Sequence, residues 1–261
     1  MKGRNLLICF CSFFSILGAE PPRRPPIEML DGYTMNGTIP MLDRYIDGSC
    51  QEGQNSYFYS KQEIDEFIAK VKRKEDNYYG ATDTWLYQAL EAYPIFDKDV
   101  LIIGSFQPWY ESVVLAYGGR PTTVEYNKIV TDDNRLTVMT VEEFNENPKK
   151  YDLILSISSI EHDGLGRYGD PLNPTADLEF MSICKQKHLK EDGHMILAVP
   201  IGKDCVVWNA HRIYGHRRLP LLINGWDIVE TFGFNETDLS RHLGECDHQP
   251  IFYLSYKKEK N

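Results

Sequence analysis

At 261 residues the chain is long enough for one sizeable α/β domain with an extension, and too short for two full domains. Its hydrophobic fraction of 42% and charged fraction of 25% are those of an ordinary globular protein. The formal net charge of −10 argues against general nucleic-acid binding, which needs a basic footprint; only local patches at His211-Arg212 and His216-Arg217-Arg218 stand outside that argument.

In chain order, Lys2 and Arg4 precede an uncharged run from Leu6 to Ala19 that ends on Gly18-Ala19. This pattern predicts that residues 1–19 are a secretory signal peptide or a signal anchor, the run being shorter than the ~20 residues of a comfortable membrane span. Either reading sends the remainder into the secretory pathway, lumenal or secreted, with membrane anchoring only through residues 6–19. Outside that run, Cys50, Cys184, Cys205 and Cys246 permit two disulfides in three pairings, or remain buried thiols. No CxxC spacing suggests zinc. Asn36-Gly37-Thr38 and Asn235-Glu236-Thr237 are glycosylation sequons, useful only in the secretory path.

Residues 20–60 read as a linker and irregular segment: Pro21 to Glu28 is a stiff proline-rich stretch, and residues 29–60 have no clean period. Ile64, Phe67, Ile68 and Val71 then recur at helical steps, predicting a helix from Lys61 to Lys74. A second helix is expected from Asp83 to Tyr93, with caps in Thr82-Asp83-Thr84, so residues 61–92 form a helical extension.

From residue 93 onward short apolar runs alternate with helical patterns. Strands are expected at Val100–Gly104, Thr122–Tyr126, Leu136–Thr140, from Tyr151, at His194–Pro200, Trp226–Phe232 and Ile251–Tyr256. Helices fall at 109–117 and Thr175–Leu189. The predicted fold is therefore α/β: a Rossmann-like, doubly wound, mostly parallel seven-stranded sheet, with the last two strands an antiparallel edge hairpin and the helical extension in front.

Ligands of such sheets bind outside the carboxyl ends of the strands. That rule selects Gly104 and Ser105 after the first strand, Glu125 at the end of the second, Glu142 after the third, and the segment from Ser158 through Glu161 and His162 to Pro171 after the fourth. A glycine there lets backbone amides approach a ligand, and an acid about twenty positions on accepts hydrogen bonds from ribose hydroxyls.

In that order, DVLIIGS, TTVEY, YDLILSISSIEH and LKEDGHMILAVP resemble the class I S-adenosylmethionine-dependent methyltransferases. SSIEHDGLGRYGDPLNP and WNAHRIYG look more narrowly like an uncharacterised methyltransferase-like family of Caenorhabditis-type nematodes. The resemblance implies S-adenosylmethionine as cofactor, held through Gly104, Ser105, Glu125, Glu142, Ser158 and Glu161. It departs from the family at the cofactor loop, where Ile102 replaces the usual acid and Phe106 and Pro108 replace two glycines.

For methyl transfer to a hydroxyl, a base near the acceptor is required; His162 is the first candidate, or else packs beneath the cofactor, and Asp163 and His211 are the further catalytic candidates. Asp163 and Asp170 are too weak a pair to predict a metal site. The polar and aromatic run from Ile201 to Arg218 reads either as a recognition surface for a small-molecule or glycan substrate or as a self-stabilised loop. The expected function is a methyltransferase of the secretory pathway acting on a glycan or other hydroxyl. The alternative is a non-catalytic secreted or lumenal protein that retains the fold.

Overall fold

The computed structural model describes residues 22–46, 56–168, 170–242 and 248–256. The apolar run at residues 6–19, Cys50 and Cys246 lie outside the described residues. Among the described residues, no helix is long and apolar enough to cross a membrane.

Within 22–46 and 56–60, part of the stretch expected to be a linker and irregular, lie short elements: α1 (Leu30–Thr34), β1 (Met41–Leu42) and β2 (Ser56–Tyr59). Then come α2 (Lys61–Lys72) and α3 (Ala81–Ala92). Ser60 caps α2 by accepting the Glu63 amide at 3.1 Å, so the helix begins where its periodicity begins. The expected caps of α3 serve elsewhere: Thr82 donates its hydroxyl to the Gln249 carbonyl at 2.8 Å, and buried Asp83 accepts the Asn77 amide and the Trp109 indole N–H. Gly80, with φ +51, precedes that helix instead.

The sheet-forming half runs β3 (Asp99–Ile103), α4 (Trp109–Ala116), β4 (Arg120–Glu125), β5 (Lys128–Thr131), β6 (Thr137–Thr140), α5 (Val141–Glu146) and β7 (Tyr151–Ile157). It continues with α6 (Ala176–Ile183), β8 (Leu189–Ala198), β9 (Cys205–Val207), β10 (His211–Ile213), α7 (Arg218–Leu222), β11 (Trp226–Phe232) and β12 (Ile251–Tyr256). Helix α6 is shorter than expected: it passes through a π-turn at Cys184–His188 into β8, which starts before the predicted His194.

The seven-stranded sheet has the order β11-β12-β8-β7-β3-β4-β6. Five central strands are parallel, and β12 lies antiparallel between β8 and β11. This is the doubly wound order with one late strand inserted, so the expected edge hairpin is present and its second strand is the inner one. The order reverses between β3 and β7, which puts the crevice for a ligand at their carboxyl ends.

Two layers of helices cover the sheet, and β3 shows how the sequence specifies this. Val100 and Ile102 face a core with Leu86, Ala89 and Leu90 of α3 and Val113 of α4, while Leu101 and Ile103 face Phe144, Phe180, Met181, Leu219 and Leu222. The period of two along a strand divides one apolar run between both cores. Helices α2 and α3 thus form part of one covering layer. At roughly 1.5–3 kcal/mol per buried large aliphatic side chain, these faces dominate the energetics of the fold.

Two small sheets lie beyond the expected fold: β2 pairs in parallel with β5, and β1, β9 and β10 form a three-stranded sheet. Among the described residues, Cys184 and Cys205 are buried free thiols.

Candidate functional site

The chain turns sharply at the end of β3. Gly104 has φ +72, and a Cβ there would stand 2.5 Å from Ser159 Oγ, so the loops after β3 and β7 touch with no room for a side chain. The Ser105 amide donates to Glu125 Oε2 at 3.0 Å, while Glu125 Oε1 accepts the amides of Tyr126 at 2.8 Å and Asn127 at 3.4 Å. Burial pushes the Glu125 carboxyl up, and those three amides pull it back.

Strand β2 reaches this loop. Tyr59 donates its hydroxyl to the Ser105 carbonyl at 2.8 Å, and Asn127 Nδ2 donates to the Tyr57 hydroxyl at 3.2 Å. Phe106, which replaces an expected glycine, is 73% exposed, with its ring edge on Tyr57 at 5.5 Å. Beneath the loop, α4 buries Glu111 completely. Its Oε1 accepts the Thr123 hydroxyl at 2.7 Å, its Oε2 has no hydrogen-bond partner, and burial pushes its pKa up to about 7.

A second group forms after β7. Ser158, held at φ +50, donates to Glu161 Oε1 at 2.7 Å and accepts from Gln249 Nε2 at 3.1 Å. A non-glycine residue in that region is strained, and such strain collects at functional sites. Glu161 is buried, its Oε2 has no hydrogen-bond partner, and burial raises its pKa to about 7 against the pull of Ser158 and Arg212.

His162 Nδ1 is 2.5 Å from the Ala210 carbonyl, which makes Nδ1 the protonated nitrogen, and its Nε2 lies 3.6 Å from Glu161 Oε1. Burial lowers this imidazole to about 3. His211 stands edge-on, 6.3 Å from His162 between ring centroids, and Tyr168 lies 5.5 Å from it. Burial and the neighbouring Asp170 raise Asp163, whose carbonyl accepts Arg212 at 2.5 Å. Tyr168, half exposed beneath the Arg167 guanidinium, is in electrostatic reach of Glu161, Glu125 and Tyr57, which links the two groups.

The predicted residues Gly104, Ser105, Glu125, Ser158, Glu161, His162, Asp163 and His211 therefore converge at adjacent strand ends. Glu142 is exposed on the first turn of α5 and takes no part in the hydrogen bonds that join the other loops. Tyr57, Tyr59, Glu111 and Gln249 were not predicted. Glu111 did leave a signal, as the sole acid in the apolar helix WYESVVLA.

Much of the segment Ile201 to Arg218 is structural rather than a recognition surface. Trp208, Asn209, Arg212 and Tyr214 are buried at 0–1% exposure. Asp177 accepts the Tyr214 hydroxyl at 3.0 Å and Arg218 Nη2 at 2.6 Å, while Arg212 donates to the carbonyls of Glu161 and Asp163. Asn209 holds Ile46 through both its amide groups. These polar groups are buried because they are paired, and they pin the Glu161–Asp163 turn from below. Asp170 is likewise occupied, by the amides of Gly166 and Tyr168.

Residues 97–249 match the family model described as "Caenorhabditis protein of unknown function, DUF268". No curated protein sequence matches the chain. Among solved structures it is similar to the 1,6-didemethyltoxoflavin-N1-methyltransferase of Burkholderia thailandensis, solved with S-adenosylhomocysteine, at 14% identity over 75% of this chain and 87% of that one, with a TM-score of 0.46. It is similar also to a TehB-like SAM-dependent methyltransferase of Corynebacterium glutamicum, at 12% identity over 76% and 97% of the two chains, with a TM-score of 0.44. The likeness to both is one of fold.

Proposed function

The chain belongs to the Caenorhabditis family of unknown function DUF268, and we propose that it is an S-adenosylmethionine-dependent methyltransferase in which Glu161 accepts the proton of a hydroxyl substrate. The observation that carries this reading is the junction of strand ends: Gly104 packed on Ser159 without space for a Cβ, and the Ser105 amide closed on Glu125 at 3.0 Å.

The residues present fit the cofactor. A carboxylate has about four acceptor directions, and Glu125 uses three of them on the backbone amides of Ser105, Tyr126 and Asn127, leaving one for a ribose hydroxyl. Phe106 is turned outward, so it does not fill the loop. Gly104, Ser105 and Glu125 would hold the nucleoside, with Ser158 at the facing loop. When bound, S-adenosylmethionine supplies the electrophilic methyl group. An efficient general base has a pKa near the working pH, and Glu161, at about 7 with Oε2 unpartnered, meets that better than His162 at about 3. His162 keeps its neutral form beside Glu161, with the His211 ring edge-on to it.

The acceptor class is a hydroxyl on a glycan or other small molecule. The exposed rings of Tyr78, Phe106 and Tyr168 offer flat apolar faces of the kind that sugar rings cover. Assignment to the secretory pathway rests on residues 1–19 alone, through Lys2, Arg4 and the apolar run.

A second reading, a non-catalytic protein on the same fold, is favoured by the Glu125 carboxylate being already closed on three amides. Transfer of a labelled methyl group from S-adenosylmethionine to a panel of monosaccharides and glycopeptides distinguishes the two. Expected is transfer that rises with pH through about 7 and falls by roughly 10²–10⁴ in Glu161→Gln. Absence of transfer to every acceptor together with absence of S-adenosylmethionine binding to the folded protein would establish the second reading.

A further inference from the structure

A cleft of about 390 Å³ opens beyond the carboxyl end of β8, lined by Lys203, His216, Arg217, Ser240 and His242, with Thr38 and Pro40 at its wall. We propose that it is a binding site for a small molecule bearing a phosphate or sulfate group. The proposal is independent of methyl transfer, and it concerns the basic patch at His216-Arg217 that the site described above leaves unused.

Its cationic side chains come from three separate stretches of chain, and the fold fixes all three. The Lys203 amide donates to the Arg241 carbonyl at 2.9 Å, Ile201 bridges Tyr214, and His216 Nε2 lies 3.2 Å from Ser240 Oγ. Backbone contacts thus set the chain paths of residues 201–203, 214 and 241, and the His216–Ser240 side-chain contact joins the last two stretches.

The charge balance points the same way. Among the described residues, the one carboxylate lining the cleft is Asp204, and it is consumed: Oδ1 accepts the amides of Gly215 and Arg218 at 2.8 and 2.9 Å, and Oδ2 accepts Arg217 N at 2.8 Å. The nearby Asp238 is engaged by Arg241 at 3.1 Å and His248 at 3.0 Å. Lys203 and Arg217 make no ion pair with a described residue. The other basic cleft, about 300 Å³ at the amino ends of the strands and lined also by Lys149 and Lys150, has both its arginines paired. There Arg120 is bound to Asp97 and Asp99, and Arg135 to Asp65 and Asp133.

Among the described lining residues two permanent cations, Lys203 and Arg217, face one carboxylate, Asp204, so in a chain of net charge −10 the cleft is a locally cationic concavity that favours anions. Arg217 brings a planar fork suited to two oxygens of a tetrahedral oxyanion, and Lys203 a point charge. The volume lies in the range of small-molecule sites, so the ligand is a phosphorylated or sulfated molecule of sugar size.

Isothermal titration of the full-length protein at constant ionic strength tests this, with glucose 6-phosphate, glucose 6-sulfate and glucose as probes. Expected is saturable one-to-one binding of one or both esters, their order naming phosphate or sulfate as the source, and none of glucose. The Lys203→Gln/Arg217→Gln double variant should weaken ester binding by at least about tenfold, the equivalent of ~1.4 kcal/mol. Both side chains are exposed, so its urea midpoint should stay that of the wild type. Absence of saturable binding of both esters at millimolar concentration, or equal affinity in the double variant, would overturn the proposal.

Discussion

His162 Nε2 lies 3.6 Å from Glu161 Oε1, and burial moves the two groups in opposite directions, the imidazole down to about 3 and the carboxyl up to about 7. The pair is therefore neutral just below neutral pH and gains its charge on Glu161 alone. That makes Glu161 the group whose proton moves in the working range.

The same burial makes stability pH-dependent, and Glu111 isolates the effect because the proposed chemistry does not use it. Its ordinary value is 4.5 and its folded value about 7, so between these the folded state holds more protons than the unfolded one. Its contribution is fully present below pH 4.5 and is lost as pH rises through about 7. Glu111→Gln should remove part of that loss, on the order of 1 kcal/mol or more between pH 5 and 8. Urea midpoints at the two pH values read it; an unchanged slope with pH would contradict it.

Gly104→Ala should damage both fold and binding. The backbone sits at φ +72, and the new methyl would stand 2.5 Å from Ser159 Oγ. A cost of about 1–3 kcal/mol is expected in urea unfolding, together with loss of measurable cofactor binding. Wild-type affinity for S-adenosylhomocysteine in this variant would show that the loop is not the cofactor cradle.

The buried group of Asp177, Arg218 and Tyr214 is expected to be a structural device rather than a substrate reader. Arg218→Ala leaves the Asp177 carboxylate with its close cationic partner removed, at 2.6 Å in the native fold, and should cost about 3–5 kcal/mol. Adding Asp177→Ala should cost less than the sum of the two single changes, because the stranded charge goes with it. Full additivity in urea denaturation would show that the pair is uncoupled.

Much of this was legible in the sequence because its signals are local. VLIIG reads as a doubly buried strand since every residue is apolar, and Gly104 and Glu125 follow from where strands end. Strand β2, SYFY, was missed because its four residues find their partner 72 positions away in β5, and only tertiary pairing reveals them. The run Trp208 to Tyr214 misled for a related reason. Its polarity resembles a recognition surface, yet Arg212 and Tyr214 spend their polar atoms inside, on partners contributed by residues 161–177. The opposed shifts of Glu161 and His162 were invisible because burial, not residue type, sets them.

Whether the Gly104–Glu125 junction holds the nucleoside of a methyl donor is read by isothermal titration with S-adenosylhomocysteine. Expected is saturable one-site binding to the wild type, weakened by at least about tenfold in Glu125→Ala, ~1.4 kcal/mol, with both proteins folded by circular dichroism. Absence of binding to the folded wild type at millimolar ligand, or undiminished binding in Glu125→Ala, would contradict it.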